Sequence, residues 1–297
     1  MVIKKNDTAI LAILACLLWS SAFAGIKVGL EYTTPVQLAG IRFVISGFLV
    51  LPLAIWRNPS FIRIVKKNWK TIAVIGFLQT VVQYALFYTG IALIPGAIGA
   101  IVIGSSPLFI ALIAHQLMPN DKMTGGKLFS ILFGIMGVVL VSLGRDRFGV
   151  AGNIALIGIL ILVGNNIISG FTNVLIAREK GKIPPLVLSS LAMILGGFVL
   201  FLLSILFEGW NWEPKPPAYF ISLAWLSMLS AVAISIWTTL LKRPEVKVSN
   251  LNLWKFLIPV LGAALSWIIL PAESPDFLSV AGMIIIASSL IILNIFN

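Results

Sequence analysis

The sequence predicts an all-α, polytopic membrane protein of ten transmembrane helices in two inverted five-helix repeats. Three observations lead to this class: an apolar composition, ten long apolar runs, and basic residues concentrated in alternate loops. Of the 297 residues, 59% are hydrophobic and 10% are charged, and the mean hydropathy is +1.06. Soluble domains carry about 25% charged residues, so an ordinary globular protein is excluded.

Ten apolar runs are long enough for a membrane-spanning helix, which needs about 20 residues. They are 8–29, 35–56, 69–91, 95–118, 125–143, 152–177, 184–207, 217–241, 248–270 and 277–296. Backbone groups in lipid must form their hydrogen bonds internally, so each run is predicted to be a helix. The longest remaining loops are 57–68 and 208–216. We therefore expect no separate catalytic or nucleic-acid-binding domain.

The basic residues predict an orientation. If the N-terminus is cytoplasmic, fifteen of the 21 lysines and arginines lie in cytoplasmic segments, and the outside loops hold Arg145, Arg147 and Lys215. This asymmetry follows the positive-inside rule and predicts a multi-pass protein of the cell (inner) membrane with both termini cytoplasmic. The net charge of +11 is thus a topology signal, and we expect no nucleic-acid partner. One alternative is that Ala22-Phe23-Ala24 ends a cleavable signal peptide, which would leave nine spans.

Equivalent motifs recur in the two halves of the chain at offsets of 148 to 152 residues. They are Ser21-Ala22-Phe23 and Ser169-Gly170-Phe171, Pro35 and Pro184, Pro107 and Pro259, and Asp121 and Glu273. The sequence therefore predicts two five-span repeats, residues 1–147 and 148–297. An odd number of spans gives the two copies opposite orientations. Inverted repeats are typical of alternating-access transporters with a midplane site between the halves, although duplication could also have produced only a larger bundle.

The chain also resembles a known family, the EamA-like branch of the drug/metabolite transporter superfamily. The resemblance rests on 18–23 (Leu-Trp-Ser-Ser-Ala-Phe), Pro35 followed by Arg42-Phe43, 105–108 (Ser-Ser-Pro-Leu), and Asp121-Lys122 before 134–138. Departures are Asp121-Lys122 where the family usually has Glu-Arg, Leu191-Ala192 at the position equivalent to Arg42, and Ser274 after Glu273. The resemblance implies two five-helix repeats, a central cavity, and substrates such as amino acids, nucleosides or drugs.

The leading functional hypothesis is a secondary permease for a small metabolite, with amino acid export as one candidate. The alternative is a flippase of the same fold for a lipid or a lipid-linked substrate. We expect no enzyme, because no nucleophile and base are clustered, and no cofactor or metal, because Cys16 and His115 are single. The expected partners are a small-molecule substrate and the lipid bilayer. The sequence leaves the substrate, the transport direction and the oligomeric state open.

Polar side chains within spans are the candidate substrate-binding residues, because polar groups facing lipid are costly. They form two groups on helix faces: Gln79, Gln83 and Tyr84 in the third span, and Asn166, Ser169 and Asn173 in the sixth. The alternative for both groups is hydrogen bonding between packed helices.

Four further residues lie at notable positions within spans. Arg42 either binds an anionic group of the substrate or satisfies helix-end carbonyls, whereas Lys255 is expected to extend toward the membrane surface. Trp19 and Trp237 either line the cavity or pack in the core.

Pro107 and Pro259 occupy equivalent positions in the fourth and ninth spans. Proline removes a backbone donor and disrupts the preceding turn. The two residues are therefore predicted to act as hinges, with static kinks as the alternative. Asp121, at the end of the fourth span, is predicted to pair with Lys122 and Lys127 or to cap a helix.

Overall fold

The computed structural model describes residues 5–93, 102–145, 152–209, 213–269 and 277–295. Helices account for nearly all of these residues, and no β-strand occurs among them. The elements are α1 (Lys5–Leu30), α2 (Pro35–Arg57), α3 (Phe61–Gly76), a π-helical segment (Phe77–Val82), α4 (Gln83–Ala92), α5 (Ser106–Leu117), α6 (Gly125–Arg145), α7 (Gly152–Arg178), α8 (Pro185–Phe207), α9 (Pro217–Leu241), α10 (Val248–Leu253), a 3-10 turn (Trp254–Phe256), α11 (Leu257–Ile269) and α12 (Phe277–Ile295). The predicted all-α class is confirmed.

Five helices among the described residues are long and apolar enough to cross a membrane. They are Pro35–Arg57, Phe61–Ile91, Leu156–Arg178, Pro185–Phe207 and Pro217–Leu241. Four shorter apolar helices coincide with other predicted spans: Asp7–Ala22, Val102–Leu117, Gly125–Leu140 and Val280–Ser289. The start of the predicted fourth span and Glu273 lie outside the described residues. The total of ten spans therefore remains a prediction.

Large apolar side chains cover the outward faces of these helices. Phe48 on α2, Phe198 on α8 and Ile221 on α9 are all more than half exposed. Soluble monomers rarely expose contiguous apolar surface on this scale, whereas lipid solvates it favourably. Trp56, at the end of α2, is 76% exposed, as expected for a ring in the interfacial region. The exposed surface therefore suits a bilayer.

The predicted loop over residues 57–68 is wrong for most of its length. Helix α3 begins at Phe61 and is continuous through Gly76 apart from a kink at Asn68. Asn68 has φ −117° and ψ 15°, and its side-chain amide donates to the Ile64 carbonyl at 2.8 Å. The residues before the kink are too polar to meet a hydropathy criterion. They form a helix all the same, because they alternate basic and apolar side chains with helical spacing.

The chain divides into two compact units, each built from both halves of the sequence. Unit 1 comprises Met1–Tyr88 and Leu175–Pro244. Within it, α2 and α8 pack closely and run antiparallel. A Cβ at Gly40 would lie 2.6 Å from the Phe201 nitrogen, and one at Gly47 would lie 2.5 Å from Ile194 Cγ1. Glycine therefore allows the two backbones to approach at both positions.

The helices α2 and α8 also match in length and burial. Each has 23 residues and begins with proline, Pro35 in one and Pro185 in the other, 150 positions apart. The predicted pairing of Pro35 with Pro184 is therefore wrong by one residue. At this offset, the buried, half-buried and exposed positions of 33–48 repeat without exception in 183–198. Two segments with different side chains therefore occupy equivalent environments within unit 1.

Unit 2 comprises Thr89–Val174 and Glu245–Asn297. Within it, α6 and α12 form a second antiparallel pair. The hydroxyl of Ser130 donates to the Ser289 carbonyl, and a Cβ at Gly137 would lie 2.8 Å from the Gly282 carbonyl oxygen. At an offset of 152 residues, Ser130 corresponds to Gly282 and Gly137 to Ser289. The two contacts are therefore reciprocal.

Candidate functional site

Arg42 lies in the core of unit 1 without a counter-charge among the described residues. Its side chain is 4% exposed. Its guanidinium carbon lies 4.6 Å from the ring centre of Phe43 and 5.4 Å from that of Tyr84. One guanidinium nitrogen, Nη1, donates to the Tyr88 hydroxyl at 3.4 Å, and Nε has no hydrogen-bond partner in the described structure. The sequence prediction selected Arg42 and Tyr84, but it did not place Tyr88 against the arginine.

The predicted third-span group is carried by an irregular helix. Gln79 lies in the π-helical segment, and the backbone N–H of Gln83 donates to the Leu78 carbonyl, an i→i−5 bond. Both glutamine side chains are half-buried. The Tyr84 ring, one residue further on, packs at 4.3 Å between ring centres against Phe43. π-helical turns occur frequently at functional sites, and this one directly precedes the residues that contact Arg42.

Trp19 and Trp237 contact each other in unit 1, although they are distant in sequence. Their ring centres are 5.0 Å apart in an edge-to-face arrangement. Trp237 is buried, and Trp19 is half-buried and packs against the apolar cluster around Leu226. Aromatic pairs of this geometry contribute about 0.5–1.5 kcal/mol beyond their burial. The pair is therefore part of the core of unit 1, and a role as a cavity wall stays a prediction.

The sixth-span group lies in unit 2, where its first member supports a broken helix. Asn166 is fully buried, and its side-chain amide donates to the Val102 carbonyl at 2.6 Å. The same carbonyl accepts bonds from the amide of Ser105 at 3.2 Å and from its hydroxyl at 2.7 Å. These bonds lie directly before Pro107, the second residue of α5. The Val102 carbonyl, which lies near the helix interruption at Pro107, therefore accepts several hydrogen bonds. Backbone groups within a bilayer need such internal partners.

Of the other two members, Asn173 connects α7 with α10, and Ser169 bonds to Asn173 within α7. The Asn173 amide donates to the Ser169 carbonyl at 2.7 Å. The Asn252 amide donates to the Asn173 side-chain oxygen at 3.1 Å. The Asn252 side-chain oxygen has no partner among the described residues and is buried. Hydrogen bonding between helices thus accounts for much of this group. The sequence analysis did not single out Asn252, although it is a buried amide within a predicted span.

Both predicted prolines follow an interruption of the helix. A turn at Ser105 precedes α5 and Pro107, and the 3-10 turn at Trp254–Phe256 precedes α11 and Pro259. Lys255 lies in this 3-10 turn and is half-buried. Each interruption lies in the turn before the proline, where proline removes a backbone hydrogen bond. Hinge motion at these positions stays a prediction.

A buried ion pair joins the loop after α5 to the start of α6, and Ser249 links it to the start of α10. Lys127 Nζ lies 2.7 Å from Asp121 Oδ1, and both side chains are at most 3% exposed. Asp121 also accepts a bond from the Ser249 amide at 2.8 Å and a short one from the Ser249 hydroxyl. Burial raises the pKa of Asp121, but the bonds from Lys127 and Ser249 lower it more, so the net pKa lies below its usual value.

This geometry confirms the predicted pair of Asp121 with Lys127, and the carboxylate also caps the start of α10 through the Ser249 amide. The pair with Lys122 is wrong. Lys122 is exposed, and its ammonium donates to the His115 carbonyl at 2.9 Å. No sequence pattern points to Ser249, because it lies 128 residues from Asp121.

The described residues include no group of three or more His, Cys, Asp or Glu side chains arranged to hold a metal ion. The polar groups of the predicted site residues are amides, hydroxyls, indole N–H groups and the Arg42 guanidinium. Such groups bind and orient a ligand through hydrogen bonds and ion pairs.

Comparison with known proteins places this arrangement in a family. The sequence matches the EamA-like transporter family over residues 7–143 and 156–295. It is 24% identical over 294 residues to the uncharacterized transporter YvbV of Bacillus subtilis (strain 168), covering 98% of this chain and 93% of the relative. It is 22% identical over 291 residues to an S-adenosylmethionine/S-adenosylhomocysteine transporter of Chlamydia muridarum (strain MoPn / Nigg), covering 95% and 90% of the two chains.

The fold is shared with a solved crystal structure. The two chains superpose with a TM-score of 0.83 over 99% of this chain and 98% of the other, at 19% identity. The membrane-length apolar helices and these matches describe a multi-pass membrane transporter. The chain belongs to the EamA-like transporter family.

Proposed function

We propose that the protein is a secondary permease for small metabolites that carry a carboxylate, with amino acids and their derivatives as the first candidates. Arg42 is the residue that binds the carboxylate. The observation that carries this proposal is the buried Arg42 guanidinium, which has no counter-charge among the described residues and whose Nε has no hydrogen-bond partner there.

The energetics of Arg42 argue for a missing partner. Removing a charged group from water costs several kcal/mol even in a relaxed protein interior. Among the described contacts, this cost is offset by a hydrogen bond of 3.4 Å to Tyr88, at the outer limit of the usual range, and by two ring contacts. Each ring contact contributes roughly 0.5–2 kcal/mol. A carboxylate would supply the compensation that is lacking, through paired, charge-assisted bonds to the guanidinium.

The surroundings of Arg42 suit the rest of such a ligand. Phe43, Tyr84 and Tyr88 offer ring faces, and Gln79 and Gln83 add amides within two turns of Tyr84. The two ligands named for the chlamydial relative are both amino acid derivatives with an α-carboxylate. A substrate of this class is therefore the first to test. Trp19 and Trp237 are proposed to bound the same region of unit 1.

We propose that transport proceeds by alternating access between two inverted repeats, residues 1–147 and 148–297, each with five spans. The antiparallel packing of α2 with α8, and of α6 with α12, supports an inverted relation because each pair joins equivalent segments. In this mechanism, Asn166, Ser169 and Asn173 contribute polar groups from the second repeat. Pro107 and Pro259 are the hinges.

The proposed orientation places both termini in the cytoplasm of a cell whose inner membrane holds the protein. It rests on the fifteen basic residues that this orientation assigns to the cytoplasmic side. A reporter fused after Asn297 tests it directly, since activity of an exterior-specific reporter would contradict the orientation.

Transport by purified protein in sealed liposomes tests the proposal. We expect flux of a carboxylate-bearing amino acid or of S-adenosylmethionine above that of empty vesicles. In R42Q, flux falls by about tenfold or more, because a charge-assisted bond contributes about 1.5–3 kcal/mol. R57Q is the matched control, because Arg57 is exposed at the end of the same helix. The flux through the R57Q variant should stay normal.

A binding measurement covers the case in which R42Q does not fold. An amino acid should raise the thermal midpoint of the wild-type protein, whereas its carboxamide should not, because a ligand that binds only the folded state stabilises it. Equal shifts by acid and amide, or unchanged flux in folded R42Q, would reject the role of Arg42. Movement of labelled lipid without any metabolite flux would favour the flippase alternative.

A further inference from the structure

The segment that connects α2 with α3, together with the first turns of α3, forms a basic concavity at the predicted cytoplasmic surface of the membrane. The concavity has a volume of about 1000 Å³ and is lined by Asn58, Ser60, Ile62, Arg63, Lys66 and Lys67, among others. All of its lining residues belong to unit 1. Arg63, Lys66 and Lys67 are exposed, and none of their side chains has a hydrogen bond or an ion pair to another described residue. The site therefore presents three positive charges that the protein does not neutralise.

The charge of this segment is uncompensated over a long stretch of chain. Residues 57–70 contain five basic residues, and no Asp or Glu occurs between Glu31 and Asp121. Other exposed basic residues on the same predicted side lie close to acids, as Lys182 does at 3.4 Å from Glu179. A topology signal alone requires an excess of basic residues, but it does not require their convergence on one concavity.

Apolar groups border the basic ones. Ile62 is 69% exposed, and Trp69, after the kink at Asn68, is 58% exposed. Lys70 lies over the Trp69 ring, with Nζ 5.8 Å from its centre. The segment thus combines exposed apolar side chains for acyl chains with positive charges at headgroup level, the pattern of an interfacial amphipathic helix.

We propose that this concavity binds the phosphate headgroup of an anionic phospholipid from the surrounding bilayer. Arg63, Lys66 and Lys67 supply the positive charges, and Asn58 and Ser60 supply neutral hydrogen-bond partners. Clusters of Lys and Arg next to a transmembrane helix attract anionic lipids, with roughly a fivefold gain in affinity for each basic residue. A lipid, rather than free phosphate, is the occupant, because Ile62 and Trp69 provide apolar contacts that free phosphate cannot use.

Titration of the detergent-purified full-length protein with dioleoylphosphatidylglycerol, compared with dioleoylphosphatidylcholine, tests this site. We expect phosphatidylglycerol to raise the thermal unfolding midpoint of the wild-type protein more than phosphatidylcholine does. In R63Q/K66Q/K67Q, the apparent affinity for phosphatidylglycerol falls by about tenfold or more, with an unchanged midpoint in phosphatidylcholine. If this variant does not fold, K66Q/K67Q provides the same comparison.

The matched control is K122Q/K182Q/K247Q, which removes the same net charge from the same predicted side. Each of its lysines is exposed and lies within three residues of an acid. This variant should keep the preference for phosphatidylglycerol. Three results would overturn the proposal: an undiminished preference in the triple variant, an equal loss in the control, or an equal stabilisation by inorganic phosphate.

Discussion

Replacing Asp121 by asparagine should destabilise the folded protein, because it leaves the Lys127 ammonium buried without a counter-charge. Removing one partner of a buried ion pair costs about 3–5 kcal/mol. Two oxygens would still accept from Lys127 Nζ, the Lys122 carbonyl at 3.1 Å and the Ser249 hydroxyl at 2.9 Å. We therefore expect a loss near ~3 kcal/mol for D121N.

The double variant separates the ion pair from the packing around it. Lys127→Met alone leaves the Asp121 carboxylate with the two Ser249 donors, so it should also cost roughly 3 kcal/mol. D121N/K127M removes both charges and should cost clearly less than the sum of the single changes, by ~1–3 kcal/mol. Single and double variants that add within about 0.5 kcal/mol would refute the reasoning.

Unfolding in detergent by titration with sodium dodecyl sulfate, followed by circular dichroism, measures these differences. Lys122→Met is the control, since this lysine is exposed and should change stability by less than about 0.5 kcal/mol. The pH dependence is a second measurement. The lowered pKa of Asp121 gives a stabilisation that is complete above about pH 4 and is lost as the pH falls through the folded-state pKa. The difference between wild type and D121N should therefore shrink in acid.

Two further predictions concern unit 1. Burial lowers the pKa of Lys242 to about 8; the charge of Glu179 raises this pKa, and the charge of Lys182 lowers it further. Above about pH 8, the unfolded chain therefore binds more protons than the folded chain. The unfolding midpoint of the wild type should rise between about pH 8 and 10, whereas that of Lys242→Met should stay flat. At the crossing of α2 and α8, Gly47→Ala would place a methyl group 2.5 Å from Ile194 and 2.7 Å from the Ser190 carbonyl oxygen. It should lower the free energy of unfolding by about 1–3 kcal/mol, whereas Gly125→Ala, with nothing within 4 Å, should have little effect in the same titration.

The hydrophobic pattern predicted the helix ends well wherever a span coincides with an apolar run. The structure begins α2 at Pro35 and α6 at Gly125, and ends α9 at Leu241, as predicted. Proline and glycine mark such ends through local backbone chemistry, which a sequence displays directly. The amphipathic start of α3 was missed because hydropathy averages its lysines with its apolar residues.

Contacts between distant segments were beyond reach. Side-chain spacing selected Asn166 and Asn173, but their partners Val102 and Asn252 depend on how the helices pack. Likewise, Arg42 was recognisable as a charge within a span, whereas its enclosure by Tyr84 and Tyr88 depends on the course of a neighbouring helix. A single sequence contains the polar groups but not the pairing among them.

The rotation of α4 about its own axis depends on the π-helical segment at Phe77–Val82, which directly precedes it. Such a turn holds one residue more than its α-helical counterpart, and one residue corresponds to about 100° of rotation in an α-helix. Conversion of this segment to α-helix would rotate the side chains of α4 around the helix axis, those of Tyr84 and Tyr88 included. The partners of the Arg42 guanidinium would then change without any displacement of α2.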